Sequence, residues 1–130
     1  MTFDWNEYLR IAKDIHIRSK TSKIKDEALL RTAVSRAYYS VINIAAKKAI
    51  EKHGQSFTSN DFHASVIGYY KYDYNNSNHQ IAGRLLRSLK GSRDKCDYHT
   101  SVDEDLEKML ESSIIQAEDI KSELAKRTYP

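Results

Sequence analysis

Residues 25–52, KDEALLRTAVSRAYYSVINIAAKKAIEK, form the longest uninterrupted helical pattern in the chain. Leu30, Val34, Ala37, Tyr38, Val41, Ile42, Ala45 and Ala49 recur at three- and four-residue steps, so they share one broad apolar face of a helix. Many of these side chains are small, which lets a neighbouring helix come close. Gly54 follows as a natural stop. Such a face needs other helices against it. Arg36, Ser40, Asn43 and Lys47 run along the same helix as a polar line, expected to be a solvated face unless it meets a functional stretch.

On the N-terminal side, a first helix is expected from about Asp4 to Ser19. Asp4 is the expected cap, with Glu7 at the capping-box position and a stripe of Trp5, Tyr8, Leu9, Ala12 and Ile15. On the C-terminal side, Asn60 opens a shorter helix through Phe62, Val66, Ile67 and Tyr70. Tyr69, Tyr70, Tyr72 and Tyr74 then lead into an Asn-rich turn. Tyrosines of this kind can stack on bases, but more often they pack a helix end. A fourth helix runs from near Asn78 toward Tyr98, with Ile81, Leu85, Leu86 and Leu89 inward and Arg84, Arg87, Lys90 and Arg93 on a basic side. Gly91 is expected to weaken it locally and admit another backbone. Ser101, with Glu104 three residues on, is the expected cap of a last helix carrying Val102, Leu106, Met109, Leu110, Ser113, Ala117, Ile120 and Leu124. The fold class is all-α: an up-and-down bundle of four long helices plus a short one, one domain over residues 1–130.

Composition agrees. Of 130 residues, 40% are hydrophobic and 30% charged, with one Pro and four Gly, which favours long helices over many strands. A net charge of +3 and a pI of 8.9 permit a nucleic-acid partner without demanding one. Cys96 is the only cysteine, so no disulfide framework or paired-cysteine zinc site is expected, and the natural compartment is a reducing cytoplasm. No basic-then-apolar leader and no membrane-length apolar run is read.

Chemistry concentrates in Arg93-Asp94-Lys95-Cys96-Asp97-Tyr98-His99. A guanidinium offers a fixed fork of donors that fits a phosphate, and an imidazole changes charge near neutral pH. The same residues also suit a polar helix C-terminus, with cations near the last carbonyls. His16, His53, His63 and His79 are scattered singly without metal-ligand spacing, and no glycine-rich phosphate loop is present. No metal and no cofactor are therefore expected. Cys96 reads as a small buried residue rather than a nucleophile.

Two stretches together resemble the HEPN domain family. Arg31-Thr32-Ala33-Val34-Ser35-Arg36-Ala37-Tyr38-Tyr39-Ser40-Val41-Ile42-Asn43 is similar to that family's second-helix signature. Arg93 through His99 is similar to its second motif, an Arg followed by a polar residue and then a His; five residues separate Arg93 from His99 here. The resemblance covers roughly Asp4 to Lys126. It implies a helical bundle that works as a two-fold homodimer, with the Arg and His of both protomers at one cleft. Many members are metal-independent endoribonucleases of toxin–antitoxin or defence systems. Others are non-catalytic modules that bind nucleotide or RNA, or pair with a nucleotidyltransferase-type protein. By this resemblance Arg93, His99 and Asp94 are the expected catalytic residues, and Arg36, Lys95 and Tyr98 the expected substrate contacts. RNA is the expected partner, alongside a cognate antitoxin. In such an enzyme the 2′-hydroxyl of the RNA attacks the adjacent phosphate. Imidazoles act as base and acid, and guanidinium charge stabilises the transition state.

Overall fold

A computed structural model describes residues 2–22, 26–58 and 60–126. Its elements are α1 (Asn6–Thr21), α2 (Glu27–His53), α3 (Phe62–Lys71), α4 (Ser77–Tyr98) and α5 (Leu106–Ala125), with no strand among the described residues. Helix α2 packs against α1, α4 and α5, and α3 lies on α4.

Helix α2 forms the centre for the reason its sequence suggests. Ala33, Val34, Ala37, Tyr38, Val41, Ile42, Ala45 and Ala49 are all fully buried, so its small side chains bring three helices close around one axis. Asp26 caps its start by accepting from the Leu29 N–H at 3.1 Å. Gly54 ends it in the left-handed conformation, at φ 67°. Lys25, the expected first residue, lies outside the described residues.

The other helix ends depart from expectation in instructive ways. Asp4 stands just before α1 and accepts from the Asn6 N–H at 3.0 Å, but Glu7 turns to Arg10 (2.8 Å) instead of reaching back. Helix α3 starts after Asp61 rather than Asn60, with no side-chain cap. Helix α4 is capped by Asn76, which accepts from the His79 N–H at 3.0 Å. Ser101 does not cap α5. Asp105 does, accepting from the Glu107 and Lys108 N–H groups at 3.0 and 3.3 Å, while Glu104 is held by Lys95. One carboxylate serving two N–H groups is the better cap, and Val102 falls in the connection before the helix.

The close backbone approach on α4 occurs at Gly83, not Gly91. A Cβ on Gly83 would lie 2.4 Å from the Lys71 backbone nitrogen of α3, whereas Gly91 is exposed with nothing within 4 Å. The tyrosine run divides. Tyr70 is fully buried and donates to the Ala45 carbonyl at 2.6 Å, tying α3 to α2, while Tyr72 and Tyr74 are exposed.

Candidate functional site

The C-terminal half of α4 runs beside the N-terminal half of α2, and this seam holds a cluster of polar and charged side chains. Arg93 projects from α4 into the seam and is only 3% exposed. Its guanidinium carbon sits 5.1 Å from the Tyr38 ring centre, 5.2 Å from Tyr39 and 5.6 Å from Tyr98. Nη1 donates to the Tyr98 hydroxyl at 3.0 Å and lies 3.5 Å from Asp94 Oδ1 and 3.6 Å from Asp97 Oδ2. Nε has no hydrogen-bond partner among the described residues. Burial works against the charge, but the Tyr39 phenol, the Asp94 carboxylate and Tyr98 outweigh it, so the proton is held more tightly than on a free arginine. Arg93 is a permanent cation enclosed in aromatic rings.

The two acids around it are shared with neighbours. Asp94 pairs with Lys90 at 2.9 Å, one turn earlier. Asp97 accepts from Ser35 of α2 at 3.2 Å. Tyr98 presents most of its ring to solvent while its hydroxyl stays with Arg93. Lys95 is turned toward Glu104. Cys96 is buried, its thiol pushed up to about 11 chiefly by burial and placed 3.6 Å from Met109 Sδ, so it stays protonated.

His99 stands apart from this cluster. It is the C-cap of α4, exposed, with extended backbone. Six positions along a helix is roughly 240° around its axis, which already puts Arg93 and His99 on different faces. No hydrogen bond or ion pair joins the two, and the His99 imidazole has no hydrogen-bond partner among the described residues. What holds this end of α4 is Arg31 of α2. Its Nη1 donates to the carbonyls of Cys96 (3.2 Å) and His99 (2.5 Å), and Nη2 to that of Thr100 (3.1 Å). Sequence reasoning gave Arg31 no role. Its own Glu27 partner, four residues earlier, was the legible contact; the link to α4 was not.

His63 was also missed, having been weighed only as a metal ligand. It arrives from α3, with Nδ1 2.7 Å from the Tyr38 hydroxyl and its ring stacked on Tyr38 at 5.5 Å. Burial lowers its pKa, and the nearby cations Arg93 and Lys90 lower it further. Beside it opens a groove of about 310 Å³ between α1, α2 and α3. Trp5 and Tyr8 form one wall, and Arg36, Tyr39 and Asn43 form the floor. His63, next to Phe62, closes the far side. The polar line of α2 is thus divided: Ser40 is fully buried, Lys47 exposed, and Arg36 and Asn43 half-buried at the groove. Arg36 lies 4.5 Å over the Tyr8 ring and has no carboxylate partner among the described residues. Tyr39 belongs to both places, lining the groove and bearing Arg93.

Among the described residues no group of three or more His, Cys, Asp or Glu side chains is placed to hold a metal ion, and no helix is long and apolar enough to cross a membrane. No protein-family model, curated protein or solved structure matches the chain.

Proposed function

We propose that this chain is a HEPN-type helical module that binds RNA without cutting it. In this reading it is an up-and-down bundle of four long helices with α3 set against them. It works in the cytoplasm as a two-fold dimer, paired with a nucleotidyltransferase-type protein. The observation that carries the choice of binding over cleavage is the enclosure of Arg93. A guanidinium that stabilises a phosphorane must place its N–H groups about 2.7–3.1 Å from the phosphate oxygens. At 3% exposure, with Nη1 engaged by Tyr98 and two carboxylates, Arg93 reaches no phosphate unless the α2–α4 seam opens. Its role here is to pin that seam. Arg36, by contrast, stands at an open groove without a carboxylate partner among the described residues.

The second reading is the metal-independent endoribonuclease of a toxin–antitoxin or defence system, with Arg93, His99 and Asp94 as its catalytic residues. One observation favours it: the His99 imidazole is exposed and has no hydrogen-bond partner among the described residues, so substrate can reach it as it must reach a general acid or base. A dimer would supply the second imidazole that one protomer lacks. Purified protein incubated with total RNA in the presence of chelator separates the two. The binding reading predicts RNA retained and intact. Fragments ending in 2′,3′-cyclic phosphate, lost in His99→Ala, would establish the nuclease instead.

A further inference from the structure

We infer that the groove between α1, α2 and α3 is a nucleotide subsite, taking one base against Trp5 and Tyr39 and its phosphate on Arg36. The inference rests on the RNA-binding reading and gives that binding a place.

Three features of the groove lead to this ligand class. The first is that its aromatic faces are not used up by one another. Trp5 meets Phe3 at an interplanar angle of 75° and Tyr8 at 78°, and Tyr39 meets Tyr38 at 64° and His63 at 66°. An edge-to-face contact covers at most one of a ring's two faces, and Arg93 lies over one face of Tyr39. What a flat partner can meet is the side of Trp5 and of Tyr39 that lines the groove, and every base has a face to offer. The lining rings are half-buried, so they are held in place while still accessible.

The second feature is charge. Arg36 is braced by the Tyr8 ring at 4.5 Å, which covers one face of the guanidinium and leaves its N–H edges without a carboxylate among the described residues. A fixed, unneutralised fork of donors beside aromatic walls matches a phosphate attached to a base, and it does not match a neutral apolar ligand. The third is size. About 310 Å³ is at the low end of the range for ligand sites, roughly 300–1,000 Å³, which suits one nucleotide unit and excludes a dinucleotide cofactor.

His63 and Asn43 then supply the polar edge that a base needs. Tyr38 occupies His63 Nδ1, and the Arg93 charge beside Tyr38 favours the tautomer in which the phenol donates to that nitrogen. Nε2–H is left as a donor. Asn43 spends one amide hydrogen on the Tyr39 carbonyl at 2.8 Å and keeps its side-chain oxygen as an acceptor.

Trp5 is the only tryptophan in the chain, so its fluorescence reports a ligand in this groove or in the neighbouring pocket that Trp5 shares with Lys47 and Lys48, and the Arg36 variant tells the two apart. The full-length protein is titrated with AMP in one arm and with a short single-stranded oligoadenylate RNA in the other, and RNA retention on a filter is measured in parallel. Quenching in both arms assigns the site to a nucleotide, whether free or in a strand. Quenching by the oligonucleotide alone assigns it to a strand. In either case Arg36→Gln should weaken binding about tenfold and reduce the salt dependence by about one phosphate contact, and Tyr39→Leu should weaken it by a similar factor. Arg84→Gln, the same charge change on the exposed side of α4, should leave the quenching curve in place. Thermal melts of the variants separate lost binding from lost fold. RNA retained on the filter with no quenching, or quenching indifferent to Arg36→Gln, overturns the groove while leaving the RNA-binding reading standing. No RNA retained and no quenching overturns both.

Discussion

Arg93 carries a charge that cannot titrate away into a place with almost no water. Three tyrosine rings, one phenol hydrogen bond and two carboxylates at 3.5–3.6 Å make that position tolerable. Removing the side chain vacates the seam and leaves Tyr38 and Tyr39 facing a void. Arg93→Ala is therefore expected to cost about 2 kcal/mol, lowering the melting temperature by about 6–10 °C. His99→Ala, at an exposed C-cap, should stay within about 0.5 kcal/mol. Circular-dichroism melts decide this, and equal melting temperatures for the two variants would contradict the clamp. Histidines supply a second expectation. The pKa of His79 is lowered by burial, despite Asp73 2.9 Å away, and that of His63 by burial and by Arg93 and Lys90. A folded value below the unfolded one means that the unfolded chain takes up protons first as pH falls. The stability these residues contribute is present above the unfolded value of about 6.5 and is lost as pH drops through the lowered folded values. The melting temperature should thus be level above about pH 7 and fall below about 6.5, less steeply in His63→Gln. A melting temperature that rises on acidification would contradict the assignment. The sequence contained Arg93, but its burial depends on Tyr38, Tyr39 and His63, which only helix packing brings to it.

At the scale of elements, periodicity read the helices well because each has a true inner face. Helix α2 ends at Gly54 as expected and begins after Asp26, two residues past the expected start, and Leu110, Ala117, Ile120 and Leu124 of α5 are buried as their spacing requires. The pattern failed where a decision depended on a neighbour. Glu104 looked like a capping-box residue, yet Lys95 from α4 takes it, and α5 starts four residues later than Val102 suggested. Gly91 and Gly83 are equally plausible contact points on paper; which one meets α3 is decided by the side of α4 that packs there. The two glycines give opposite expectations. Gly83→Ala drives a Cβ into the Lys71 backbone and should destabilise by about 1–3 kcal/mol or more. Gly91→Ala meets nothing and should stabilise α4 by about 0.5–1 kcal/mol. Urea unfolding of both variants checks the pair, and a stable Gly83→Ala protein would refute the α3–α4 contact.

At the scale of the whole molecule, the candidate site reads differently from the motif that pointed to it. The motif ends of α4 are split between an enclosed cation and an outlying imidazole, and the open, aromatic, cationic surface is the groove on the other side of Tyr39. Of that surface only Arg36 was read in advance, because Trp5 stands just before α1, Arg36 on α2 and His63 on α3, and no spacing links them. A net charge of +3 also predicts few phosphate contacts and so a shallow salt dependence, about 0.7 per contacted phosphate on a logarithmic scale for a single strand. The most direct test of binding without cleavage is sedimentation of end-labelled single-stranded RNA with the purified protein in chelator over a salt series. The account predicts full-length RNA travelling with a protein dimer, released gradually as salt rises. RNA that sediments free at low salt, or that is recovered shortened, would contradict it.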